Sequence, residues 1–193
     1  ELGYQDIALN ELKKFITDYP QSAYNKEARE LMVGLLANTN NYREALELLQ
    51  SLSSPSDAAK QLYPRVAYGR AMELINDQNL DEADQLLDKV LKDPLNGPVL
   101  SQTRFWKGEI AYRNDDLDNA IRYYNDYLSA SPVTNGEVSP RNARYNIGYA
   151  YLRKENYKVA QGFFDQVAKT VRLNSPDIEQ DAWLRNADCF FMQ

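Results

Sequence analysis

The chain has 193 residues, 44% of them hydrophobic, with 22 basic and 28 acidic side chains for a net charge of −6. That apolar content suffices for a packed core, and only 8 Gly and 8 Pro argue against a disordered or turn-rich all-β chain. The acidic balance, with no Lys/Arg cluster longer than the pairs Lys13-Lys14 and Arg153-Lys154, argues against nucleic acid, which needs a cationic stripe.

Chemistry is equally constrained. There is no histidine, the commonest general base and metal ligand. Cys189 is alone, so it is expected to be a buried thiol beside Phe190 and Phe191 rather than half of a disulfide or part of a metal site. No Gly-rich phosphate loop, GxSxG, HExxH or CxxC occurs. No enzyme, cofactor or metal is expected. No apolar run approaches the roughly 18 residues of a membrane span. The chain opens on Glu1 without a methionine or a signal-like segment, and reads as part of a longer array.

Taken in chain order, one helix recurs. The first, near 4–18, carries Ala8, Leu12 and Phe15; later copies carry Ala45, Leu49, Leu52; Ala83, Leu87, Val90; Ala120, Tyr124, Tyr127; and Ala160, Phe164, Val167. The alanines are 37, 38, 37 and 40 residues apart, and offsets of 0, +4 and +7 share one helical face. These B helices are placed near 4–18, 41–53, 79–92, 116–130 and 156–172. Four of them start on Asn41, Asn79, Asp116 or Asn156, with acidic pairs such as Asp81-Glu82 and Asp115-Asp116 set against the helix dipole. A second set, the A helices, falls near 23–38, 55–77, 98–113, 140–154 and 176–192. Ser54-Pro55, Gly97-Pro98, Ser139-Pro140 and Ser175-Pro176 are the expected starts, and Pro64 should kink or restart the second of the set.

Twelve positions before a B-helix alanine stands a small residue: Ala71, Gly108 or Gly148. Small residues on both helices would let the axes approach closely. The first pair has Val33 there with Gly34 beside it, which suggests a local adjustment of that turn.

These residues resemble the tetratricopeptide repeat family, a 34-residue helix–turn–helix with small residues at positions 8 and 20, an aromatic at 24 and often Pro at 32. Gly148, Tyr151, Ala160 and Phe164 match positions 8, 11, 20 and 24; Gly108, Ala120, Tyr124 and Pro132 match 8, 20, 24 and 32. Ala8, Leu12, Phe15 and Pro20 match a second half-unit, and Trp183, Ala187 and Phe190 a first half-unit. The resemblance implies an all-α, right-handed α-solenoid of about ten helices. It is organised as one array over 1–193: a half repeat 1–20, helix pairs 21–54, 55–96, 97–137 and 138–174, and a half repeat 175–193. The spacings exceed 34, and the longest loop is expected at 131–139. Segment 105–109 (FWKGE) also resembles bacterial cell-envelope members, which implies a periplasmic or envelope location, with the cytoplasm as the alternative.

The family's concave face is lined by A-helix positions 2, 5, 9, 12 and 13. By that resemblance the partner-binding residues are Tyr68, Met72, Phe105, Glu109, Tyr112, Arg113, Asn142, Tyr145, Tyr149 and Arg153. Arg65, Ile75, Asn76, Gln102, Leu152, Leu184, Asp188 and Phe191 share those positions. The alternative for the aromatics is that they pack between helices. No unit carries the Lys and Asn at positions 5 and 9 that mark a carboxylate clamp, the pairs being Glu30/Gly34, Tyr68/Met72, Phe105/Glu109 and Tyr145/Tyr149. The expected function is a non-catalytic scaffold for a protein or peptide partner. The alternatives are a glycan or short-peptide module, or a structural spacer. End-to-end self-association through the half repeats is a further expectation.

Overall fold

A computed structural model describes residues 2–169 and 174–193. Ten helices occur among them: α1 Leu2–Asp18, α2 Asn25–Asn38, α3 Tyr42–Ser51, α4 Asp57–Asn76, α5 Leu80–Lys92, α6 Leu100–Arg113, α7 Leu117–Ser129, α8 Pro140–Arg153, α9 Tyr157–Val167 and α10 Asp177–Phe191. They form two compact units, Glu1–Val99 with α1–α5 and Leu100–Gln193 with α6–α10. Within each, sequential helices pack on one another, so the alternating A and B pattern becomes a series of helical hairpins.

The B-helix register is that of the sequence. Ala45, Ala83, Ala120 and Ala160 are fully buried, and Leu49, Leu87, Tyr124 and Phe164 four residues on are buried with them. Asn41, Asn79, Asp116 and Asn156 are the N-caps. Only Asp116 and Asn156 use their side chains, accepting from the amides of Asn119 and Val159. The expected extension of the last B helix to 172 ends on residues outside the described set.

The A-helix starts need correction. Ser139–Pro140 is a cap followed by Pro at the first helical position, with Ser139 Oγ accepting from the Asn142 amide at 3.1 Å. At the second A helix the cap is Ser56, whose Oγ accepts from the Ala59 amide, so Pro55 stays outside. The third begins at Leu100, after a turn over 97–99, and the last is preceded by Pro176 rather than started by it. Nor does Pro64 restart α4, which runs as one helix from Asp57 to Asn76 with Pro64 buried. Burial of the flanking Val66 and Ala67 holds the segment helical across the missing amide.

One turn is used four times. Each of the first four A helices ends through a residue at positive φ: Asn40 (59°), Gln78 (61°), Asp115 (62°) and Glu155 (56°). The next amide reaches back five residues, Asn41 to Leu36 O, Asn79 to Leu74 O, Asp116 to Ala111 O and Asn156 to Tyr151 O, at 2.8–2.9 Å. This is the left-handed helix stop that satisfies terminal carbonyls. The turn after Val33 and Gly34 keeps the bond from Asn41 to Leu36 O but lacks the three-residue bond that Gln78, Asp115 and Glu155 make in the other turns, to Ile75, Tyr112 and Leu152 O.

The small A-helix residues act differently from expectation. A Cβ on Gly108 would lie 2.9 Å from the Tyr124 ring, and one on Gly148 would lie 2.8 Å from Phe164. Each glycine therefore makes room for the aromatic at position 24, not for the alanine at 20. Gly69 does the same for the Tyr42 ring of the preceding B helix. The long loop 131–139 is pinned by Tyr127, whose hydroxyl donates to Val133 O at 2.7 Å, and closed by paired bonds between Asn135 and Val138 around Gly136 at φ 58°.

Candidate functional site

Of the ten expected partner-binding residues, Tyr68 and Met72 lie half-buried on α4 in the N-terminal unit. The other eight lie on α6 and α8 of the C-terminal unit, and there the structure sorts them into three groups.

Phe105 leaves the surface. It is 2% exposed and sits edge-on to Trp106, Tyr124 and Tyr127 with centroids 5.4–5.8 Å apart. Its expectation as a partner anchor is corrected: the ring is core, held there by the gain from burying a large aromatic among others. Asn142 is also committed, its amide donating to Glu137 O at 2.8 Å across the start of α8.

Tyr145 and Tyr149 are half-buried and tied to α10. Their rings meet edge-on at 4.9 Å, and both pack on Phe164. Both hydroxyls donate to Asp181 Oδ2, at 2.8 and 2.5 Å. Arg185 Nε donates to the Tyr149 oxygen at 3.0 Å, and its terminal nitrogen reaches Asp188 Oδ2 at 2.6 Å. Burial, and then the bonds to the Asp181 carboxylate, push both tyrosines above the ordinary phenol value, so they stay protonated donors. Burial works against the charge on Asp181, but the two phenol hydrogen bonds and Arg185 outweigh it and hold its carboxyl below the usual aspartate range. The expected set omits Asp181 and Arg185. Asp181 falls at position 2 of the last half-unit, the same place as Asn142, so the register alone selects it.

Glu109, Tyr112, Arg113 and Arg153 form the third group. Glu109 accepts from Arg113 Nε at 2.9 Å on one oxygen. Its other oxygen accepts from the buried Tyr124 hydroxyl at 2.9 Å and from Asn146 at 3.2 Å. Burial, with the Glu109 charge adding to it, raises the Tyr124 pKa well above the ordinary value. Arg153 lies over the Tyr112 ring, 5.1 Å from its centroid, and pairs with Asp115 at 2.6 Å. Arg113 and Arg153 are exposed and Tyr112 is half-exposed. Surface ion pairs of this kind contribute little, so both guanidinium groups can be recruited by another acceptor. Among the described residues, no cluster of three or more Asp, Glu or Cys is placed to hold a metal ion, and no helix is long and apolar enough to cross a membrane.

These helical hairpins, with repeated small–aromatic contacts and a left-handed stop at each A–B turn, define an α-helical repeat protein. Residues 68–133 match the family described as "Tetratricopeptide repeat", so the chain carries tetratricopeptide repeats there. The fold extends over the rest. The structure is similar to that of BtubC (BKLC) from P. vanneervenii, with TM-score 0.60 and 15% identity over 100% of this chain and 82% of that one. It is similar to MamA, with TM-score 0.58 and 18% identity over 86% and 82%. YrrB, described as a TPR protein with an unusual peptide-binding site, gives TM-score 0.58 and 16% identity over 93% and 82%. No functionally curated protein matches the sequence. Repeats of this family generally mediate protein–protein interaction as non-catalytic scaffolds.

Proposed function

We propose that the protein is a non-catalytic scaffold that holds a protein or peptide partner against the A-helix face of α6 and α8. The carrying observation is the exposed pair Arg113 and Arg153, the first bonded to Glu109 and the second lying over the Tyr112 ring. Arginine and tyrosine are residue types that dominate partner binding, and Arg113 and Arg153 stand at the same repeat position, where the pair 55–96 has Asn76. The alanine and large apolar positions of the internal B helices are consumed by packing. The Tyr145–Tyr149–Asp181–Arg185 network supports the face by fixing α8 against α10.

A photo-cross-linking residue at Tyr112 should trap the partner in cells, while the same residue at Lys158, exposed on α9, should not. Arg113→Ala with Arg153→Ala should lower the Tyr112 adduct by roughly tenfold, the size of a lost hot spot. Equal capture at both positions, or an adduct untouched by the arginine changes, would count against this face. The likeness of segment 105–109 to envelope proteins supports a bacterial cell-envelope location. Fractionation that leaves the protein wholly in the cytosol would remove that part of the reading.

A further inference from the structure

The sequence holds two Asn–Gly pairs, Asn96–Gly97 and Asn135–Gly136, each in a loop that precedes an A helix. Asparagine before glycine is open to an intramolecular reaction, because a following residue without a Cβ lets its amide nitrogen swing onto the asparagine side chain. Both glycines are exposed, and a Cβ added to either would meet nothing within 4 Å. On the glycine side the two pairs are equal.

They differ at the asparagine. The Asn96 carboxamide is half-buried and donates to Val90 O at 3.1 Å and Leu91 O at 2.9 Å, carbonyls of the last turn of α5. Asn135 is exposed, and among the described residues its carboxamide has no hydrogen-bond partner. The Gly136 amide likewise donates to none of them. The turn is held instead by the Asn135 amide, which donates to Val138 O at 2.8 Å, and by the Asn135 carbonyl, which accepts from the Val138 amide at 3.1 Å. Both reacting groups are therefore free at Asn135, whereas at Asn96 the carboxamide is tied down.

We infer that Asn135–Gly136 is a site of spontaneous deamidation in the folded protein, and that Asn96–Gly97 is protected. The Gly136 nitrogen gives its proton to solvent and bonds to Asn135 Cγ. The Cγ–Nδ2 bond breaks, and the amine takes up a proton from water and leaves as ammonia. Water then opens the five-membered imide at one of its two carbonyls, giving aspartate or an isoaspartyl link that carries the main chain through Cβ and Cγ. Nothing beyond water is consumed. The isoaspartyl form lengthens the main chain by one carbon inside a turn closed by the two Val138 bonds. Val138 is buried in the core with Phe105, Tyr127 and Ile147, and Ser139 after it caps α8, so the start of α8 loosens. This chemistry does not draw on the Arg113–Arg153 face.

The test is to age the folded protein in warm, mildly alkaline buffer and follow tryptic peptides 93–104 and 123–141 by tandem mass spectrometry. Asn135 should convert faster than Asn96 by roughly tenfold or more, the factor imposed by opening two hydrogen bonds before reaction. Asn135→Gln should abolish labelling of the aged protein by an isoaspartyl methyltransferase. In concentrated urea both pairs should react at similar rates. Equal rates in the folded protein, or an Asn135 that stays intact there, overturn the inference. So does an Asn96 that remains slow in urea, since its protection would then not come from the fold. Asn135→Asp, which carries the new charge on an ordinary main chain, should melt with the wild type, while the isoaspartyl form should melt lower. An isoaspartyl form that melts with the wild type overturns the loosening of α8.

Discussion

In the N-terminal unit, the position twelve before the B-helix alanine holds Val33 or Ala71, and the position four after it holds Leu49 or Leu87. In the C-terminal unit the same positions hold Gly108 or Gly148 and Tyr124 or Phe164. The backbone pattern is shared, but volume has moved from one helix to the other. A larger B-helix residue goes with a smaller A-helix residue, as expected of interiors packed to a fixed density. The exchange has a chemical consequence. Aromatic rings at position 24 bring a hydroxyl with them in Tyr124, and Glu109 and Asn146 on the A helices meet it. The polar face of the C-terminal unit thus grows out of its choice of core residue.

The largest expected effect comes from forcing one unit's choice onto the other. Gly108→Val should overpack against the buried Tyr124 ring and cost about 1–3 kcal/mol. Adding Tyr124→Leu recreates the Val33/Leu49 combination of the N-terminal unit. The double variant should then be more stable than the sum of the single changes by about 1 kcal/mol or more. Urea denaturation of the four proteins reads this coupling. Strict additivity would mean that the two sizes are independent and the comparison between units carries no packing rule.

A middle-sized effect separates the polar support of α8 and α10 from the core beneath it. Asp181→Asn keeps an oxygen for the tyrosine hydroxyls but loses the charge, and should cost about 1 kcal/mol at neutral pH, the gap between charged and neutral hydrogen bonds. The folded-state pKa of Asp181 is depressed, so its stabilisation is complete above the ordinary aspartate pKa and is lost as pH falls through the depressed value. The difference between wild type and variant should therefore shrink on acidification from neutral pH toward about pH 3 and should not change above pH 6 or so. A difference that stayed constant in acid would show that the carboxylate charge contributes nothing.

Much of this was legible in the residues. The alanine recurrence carries the helix order, because a buried alanine with a buried large residue four positions on repeats in α3, α5, α7 and α9 whatever the loops do. Asn41, Asn79, Asp116 and Asn156 mark true helix starts, although only Asp116 and Asn156 cap with their side chains. What stayed hidden depends on three dimensions. Which side chain Gly108 faces is a matter of helix register across the pair, so glycine read as room for an alanine is in fact room for Tyr124. Phe105 stands at a surface position of the repeat, yet Tyr124 and Tyr127 draw it inward. The Tyr145–Asp181 bond spans 36 residues and has no local signature.

The positive-φ turns were also silent, because Asn40, Gln78, Asp115 and Glu155 share no residue type. They supply the smallest effect and the control for the comparison, since this turn is common to both units. A left-handed residue with a Cβ costs about 1–2 kcal/mol, partly offset by the lower unfolded-state entropy it confers over glycine. Gln78→Gly in one unit and Glu155→Gly in the other should each stabilise by about 0.5–1 kcal/mol, the difference between those terms. Asn40→Gly should gain less, because asparagine tolerates this conformation better than most residues. Thermal melts of the three variants test the set. Equal gains for Gln78 and Glu155 would mean that the hairpin turn works alike in both units, leaving the core exchange as their real difference. A gain in only one would place part of that difference in the turn, where bonds of 2.8 and 2.9 Å from Asn79 and Asn156 give no reason for it.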